Sequence, residues 1–101
     1  MESSQTNGKA TWRLTGDLIL EETEPVREGF YEWFKSNSDL DLDIDLKNLN
    51  RIDASGISLL ISFQNVLSNH QKQLNLLNVP HSVLTLLQRN NLHLYFKITT
   101  G

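Results

Sequence analysis

Four aspartates at alternate positions are the first residues whose spacing suggests chemistry. They are separated by aliphatic residues, at Asp39, Asp41, Asp43 and Asp45. Such a row suggests a metal site or an acid–base pair. In an extended strand, however, alternate side chains lie roughly 6.5–7 Å apart, which is too far to share one ion or to act as a coupled pair. We therefore interpret the row as a solvated strand face that also discourages edge-to-edge pairing.

The segment Asp53-Ala54-Ser55-Gly56 is the second candidate, because it joins an apolar strand end to an amphipathic helix. Asp53 and Ser55 are both good N-cap residues, and Gly56 lets the backbone approach a neighbour closely. One interpretation is a capped helix start with no further role. The other is a seat for an anion or a phosphorylated hydroxyl, since a helix start presents free N–H groups and a positive dipole end. Residue chemistry alone leaves both open.

Other catalytic chemistry finds little support. The chain has no cysteine, which excludes disulfides, thiolate nucleophiles and thiolate metal sites. Residues 53–57 lack the first glycine of a Gly-x-Ser-x-Gly nucleophile turn, and the five glycines form no phosphate-binding loop. His70, His81 and His93 do not show metal-ligand spacing. We expect no catalytic residue, no metal and no cofactor, and hence a protein that is not an enzyme.

The elements that must position these residues alternate along the chain. Apolar periodicity predicts strands over 10–15, 40–46, 74–79 and 94–98, with helices beginning near Thr23, Ser55 and Pro80. Gly16-Asp17 is expected to end the first strand as a turn, and residues 47–51 to form a polar connection. Such alternation implies right-handed crossovers and helices packed on a sheet.

The two ends of the chain and the first helix complete this outline. Residues 1–9 are small and polar and are expected to form a flexible N-terminal tail, followed by one domain over 10–101. In the first helix, four large apolar residues share one face and are assigned to the core rather than to a docking stripe: Val26, Phe30, Trp33 and Phe34.

Composition limits the partners. The chain has 101 residues, a formal net charge of -3 and an isoelectric point near 5.5. It therefore offers no electrostatic reason to bind nucleic acid or an anionic membrane surface. No targeting or membrane-spanning segment is visible in the sequence, so we expect a cytoplasmic protein whose only membrane link would come through a partner.

Two ordered motifs give the chain a family resemblance. Residues 42–46 followed by residues 52–60 resemble the strand and helix start of STAS domains, the family of anti-anti-sigma factors and their relatives. Residues 14–18 and 74–79 extend the match, so that it covers about residues 10–98. The resemblance implies a small mixed α/β sheet of about four to five strands, with helices mainly on one side, that acts as a protein-binding module.

The resemblance also implies a site and a departure from it. In signalling members, a Ser or Thr immediately after the motif Asp is phosphorylated by a partner kinase that is also an anti-sigma factor. Phosphate then releases the partner. Here that position is Ala54, which has no hydroxyl. Ser55 or Ser58 would have to be modified instead, although a kinase that aligns one hydroxyl with its nucleotide does not readily accept such a shift.

Two functions follow from the resemblance, and both use a protein partner. The first is a regulatory module like the anti-sigma factor antagonists, which binds a switch kinase or anti-sigma factor and is locked in its binding-competent state. The alternative is a constitutive subunit of an ABC-type lipid transporter, bound to the ATPase. In either case the predicted contact includes the adjoining residues 47–51 and centres on five residues: Asp53, Ala54, Ser55, Gly56 and Ser58. The sequence does not identify the partner, the oligomeric state or whether Ser55 is a phosphorylation site.

Overall fold

The computed structural model describes residues 2–6 and 8–100, which form a five-stranded sheet and three α-helices. In chain order the elements are β1 (Glu2–Thr6), β2 (Lys9–Leu18), a 3-10 turn (Leu20–Glu22), α1 (Thr23–Asn37), β3 (Asp41–Ile52), α2 (Ala54–Asn69), β4 (Leu74–Val79), α3 (His81–Arg89) and β5 (Lys97–Thr100). The strands lie in the order β1-β2-β3-β4-β5. The mixed α/β fold class expected from the sequence is confirmed.

The topology places the helices together. β1 is antiparallel to β2, whereas β2 to β5 run parallel to their neighbours. Each crossover from β2 to β5 moves one strand in the same direction, with one helix in each connection. Because such crossovers are right-handed, successive steps in one direction put all three helices on the same face of the sheet.

The core lies between that sheet face and the helices. On β3 the alternate residues Leu42, Ile44 and Leu46 are fully buried. Phe30 of α1 stacks on Phe63 of α2, with ring centroids 4.0 Å apart. The apolar face predicted for α1 is confirmed. Phe30 is buried, and the other three residues of that face are partly buried and pack against the core: Val26, Trp33 and Phe34.

The opposite face of the sheet carries Asp41, Asp43 and Asp45, which are less solvated than we expected, whereas Asp39 precedes the strand and is exposed. Asp43 is buried, with Lys9 Nζ 3.3 Å from one carboxylate oxygen and Asn75 Nδ2 donating to the other at 2.6 Å. Asp45 accepts hydrogen bonds from the Lys47 backbone and from Asn78 Nδ2. β3 is also an interior strand, so these charges do not protect an edge. They are held by cross-strand hydrogen bonds and ion pairs.

β3 extends further than the sequence pattern indicated. Residues 47–51, predicted as a connection, continue the strand, because their backbone pairs with the second half of β2 from Thr15↔Asn48 to Leu18↔Ile52. Gly16-Asp17 likewise lies within β2 rather than ending it. Gly16 has φ +81°, and the pairing shifts on both sides of it, so a bulge replaces the expected turn.

The N-terminal segment also differs from the sequence prediction. Instead of belonging to a flexible tail over 1–9, residues 2–6 form an edge strand, and Lys9 already belongs to β2. Thr6 pairs with Lys9, which fixes the register of β1 against β2. Met1 and Asn7 themselves lie outside the described residues.

The C-terminal elements agree with the prediction except at the last strand. β4 occupies the predicted residues 74–79, and α3 ends at Arg89, next to the expected boundary at Asn90. The last strand begins at Lys97 instead of Leu94, because residues 93–95 form a turn.

The aromatic stack gives a stability prediction. Phe63→Ala should lower the free energy of unfolding by about 3–5 kcal/mol, because Phe63 is fully buried and its loss leaves a cavity against Phe30. The matched control Tyr31→Ala removes a ring that is 41% exposed and should cost under about 1 kcal/mol. Urea unfolding followed by circular dichroism measures both, and equal losses would contradict the assigned core.

Candidate functional site

The Asp53 side chain holds the junction between β3 and α2. It is the N-cap of α2, and its Oδ1 accepts a hydrogen bond from the Gly56 backbone at 3.1 Å. Its Oδ2 accepts a second hydrogen bond from the Leu20 backbone at 3.2 Å. One carboxylate therefore caps the helix and also ties it to the 3-10 turn after β2. The predicted capping role of Asp53 is confirmed.

Gly56 is required by a close contact within the chain. A Cβ at this position would lie 2.3 Å from the Leu18 carbonyl oxygen and 2.7 Å from Ile52 Cγ1. Such distances are far inside van der Waals contact, so any other residue would push α2 away from the end of β2. The close approach expected from the sequence is thus an approach to the protein's own sheet.

The remaining predicted site residues lie on the first turns of α2. Ala54 is the first helical residue and is exposed, as is Ser58 one turn later. Ser55, the second helical residue, is half-buried and is not the cap. The Asp53 carboxylate itself lies at the positive end of the helix, where it already compensates much of the dipole that a bound anion would use.

An ion pair lies beside this helix start. Arg51 Nη2 lies 2.8 Å from Asp17 Oδ2, on the bulged ends of β3 and β2. The hydrogen bond from Arg51 lowers the pKa of the Asp17 carboxyl below its ordinary value. The same contact, with a smaller contribution from the charge of Glu21, raises the pKa of Arg51. Arg51 is therefore paired with Asp17, and the charge of Glu21 adds a weaker attraction.

An apolar groove beside the helix start was missed by sequence reasoning. It runs between α2 and α3, and its lining is largely aliphatic: Ala54, Ile57, Ser58, Ile61, Leu86, Asn90 and Leu92. Leu20, on the 3-10 turn next to Asp53, is 65% exposed. The sequence signal that could have revealed this groove is the number of aliphatic residues in α3. Val83 and Leu87 are buried in the core, whereas Leu86 stays partly exposed.

The described residues offer surfaces for contact but no grouped metal ligands. Within residues 2–6 and 8–100, no three His, Asp or Glu side chains are grouped as metal ligands. None of the helices in the described part of the chain is long and apolar enough to cross a membrane. The site instead offers a rigid helix start, exposed small residues and an apolar groove.

The family of the chain follows from its sequence. A family model described as "Mlab, STAS domain" matches residues 1–96, which is almost the whole chain. The protein therefore belongs to the STAS domain family, and the resemblance inferred from the two motifs is confirmed. No curated protein matches the sequence.

Solved structures show the same fold at low identity. The Thermotoga maritima protein TM1081, described as a candidate anti-sigma factor antagonist, superposes with a TM-score of 0.90 at 15% identity over 99% of this chain and 86% of its own. Phosphorylated SpoIIAA from Bacillus gives 0.75 at 19% identity, over 99% and 91%. A sulfate transporter family protein from Wolinella succinogenes gives 0.77 at 16% identity, over 91% and 76%.

The contact at Gly56 predicts the effect of a single methyl group. Gly56→Ala should lower the free energy of unfolding by at least about 1–3 kcal/mol, because the new Cβ overlaps the backbone of β2. Ser58→Ala, on the exposed side of the same helix, should change it by less than about 0.5 kcal/mol. Denaturant unfolding compares them, and a neutral Gly56→Ala would show that α2 does not need its close contact with Leu18.

Proposed function

We propose that this STAS domain is a non-enzymatic module that binds a protein partner through the start of α2, from Asp53 to Ser58. The observation that carries the proposal is the rigid presentation of Ala54 and Ser58. Both are exposed on a helix start that is fixed by Asp53 from one side and by Gly56 from the other. A preorganised surface of small residues lets a partner approach the backbone with little ordering cost.

We also propose that this docking is constitutive. The Bacillus protein SpoIIAA has been solved both with and without phosphate. The STAS resemblance places the phosphoacceptor of signalling members at Ala54, which has no hydroxyl. Ser55 lies about 100° further around the helix and is half-buried, so its hydroxyl points in a different direction from the exposed position 54. Phosphoryl transfer depends on in-line alignment, which makes Ser55 a poor substitute.

Two kinds of partner fit this proposal. One is a switch kinase or anti-sigma factor, as the likeness to anti-sigma factor antagonists suggests. The other is the ATPase of an ABC-type lipid transporter, for which a domain without a phospho-switch is well suited. The second is favoured by Ala54, since a constitutive subunit needs no phosphoacceptor, whereas the fold is shared with both kinds of protein. Both place the protein in the cytoplasm.

Affinity capture from the native cells distinguishes these partners. The tagged wild-type chain should retain one protein in stoichiometric amount, identified by mass spectrometry as a kinase or sigma-controlling protein or as a transporter ATPase. The purified partner should then bind the purified domain directly. If no such protein is retained or none binds directly, the proposed docking function is wrong.

A charge placed at the docking point supplies the matched test. Ala54→Glu should weaken binding of the captured partner by at least about tenfold, because the carboxylate would be buried at the contact without a counter-ion. The variant should remain folded, since an acidic residue at the first helical position suits the helix dipole. Ser68→Glu adds the same charge near the far end of α2, about 21 Å along the helix, and should bind as wild type. Calorimetry that finds equal affinities for both variants would place the interface elsewhere.

A further inference from the structure

The groove between α2 and α3 has dimensions that favour a side chain over a free ligand. Its volume is about 220 Å³, below the roughly 300–1,000 Å³ of typical small-molecule sites. Its apolar lining comes from Ile57 and Ile61 on α2, Leu86 on α3 and Leu92 beyond it. All but Ile57 are partly exposed to solvent although they pack on the core. An occupant that buries this lining must itself be apolar.

The groove opens at one end onto an acidic rim. Leu86 lines both the groove and a neighbouring depression that contains Glu21, Arg51 and Asp53. With Asp17, which pairs with Arg51, the rim has three carboxylates and one guanidinium. Asp53 is used by backbone hydrogen bonds and Asp17 by Arg51. Glu21 is exposed and lines the same depression as Arg51. The rim therefore has an excess of negative charge that a cation would balance.

We propose that the groove receives an aliphatic side chain from the docked partner, with a lysine or arginine of the same segment lying against Glu21. This inference rests on the proposed docking function and specifies the chemistry of the partner segment. A segment with an aliphatic anchor and a neighbouring basic residue matches both the apolar lining and the rim charge. The contact surface then extends from the start of α2 across to the end of α3, beyond the five residues predicted from the sequence.

Site-specific photo-crosslinking in the native cells tests the occupant. A benzoylphenylalanine is placed at Asn90, which lines the groove but lies outside the α2 docking point, and in separate variants at Ala54 and at the exposed Tyr31 of α1. The cross-linked segment is identified by mass spectrometry. We expect Asn90 and Ala54 to capture the same partner, Tyr31 to capture none, and the Asn90 segment to contain an aliphatic residue beside a lysine or arginine.

The other outcomes separate the two proposals. Capture at Ala54 without capture at Asn90 would overturn the groove inference and leave the docking function in place. Capture at neither position would overturn both. A cross-link from Asn90 to an acidic segment, to a second copy of this chain or to lipid would show that the occupant has been assigned wrongly.

The charge at the rim has its own matched variants. Glu21→Lys should weaken binding of the purified partner by at least about tenfold, because it replaces an attraction with a repulsion. Glu28→Lys makes the same charge change at an exposed position of α1 and should leave the affinity within about twofold. Equal effects of the two variants, or stronger binding by Glu21→Lys, would overturn the assignment of a basic residue to this rim.

Discussion

The contact between Gly56 and the end of β2 is the constraint on which the site depends. Gly56 has only a hydrogen where another residue would have a Cβ, so the start of α2 can lie directly against the Leu18 carbonyl. Asp53 then uses one oxygen to cap that helix and the other to hold the 3-10 turn that follows β2. These two residues fix the position of Ala54 and Ser58 and also bring Leu20 and Glu21 to the same surface. Asp53 and Gly56 are therefore structural, and Ala54 and Ser58 are exposed beside them.

Much of the fold was predictable because the chain carries clear periodicities. The alternation over 40–46 and the apolar spacing of the helices identified the parallel sheet and its crossovers. Two of the failures share one cause, which is that backbone pairing does not require an apolar pattern. Residues 47–51 are polar yet pair with β2, and residues 2–6 are small and polar yet form an edge strand. Gly16 suggested a turn but adopts its left-handed conformation within a bulge.

The site was predictable at its centre but not at its borders. Residue types predicted Asp53 as a cap, which the structure confirms, and the family resemblance led us to expect Ala54 in the phosphoacceptor position of signalling members. It did not reveal the second hydrogen bond of Asp53, because Leu20 is 33 residues earlier and meets it only through the β2–β3 pairing. The groove was invisible for the same reason, since its walls come from helices that lie far apart in sequence. The aspartate row, by contrast, attracted attention as chemistry and serves to join strands.

The central claim is that α2 presents a docking point that binds without a phosphate switch. The most direct measurement is intact-mass analysis of the wild-type domain after incubation with its captured partner and ATP, together with the bound fraction. The account predicts no added phosphate and an unchanged complex. If the partner is a kinase, the Ala54→Ser variant, which restores the hydroxyl, should gain one phosphate and then release the partner. Phosphate on Ser55 of the wild-type domain with loss of the complex would contradict the account.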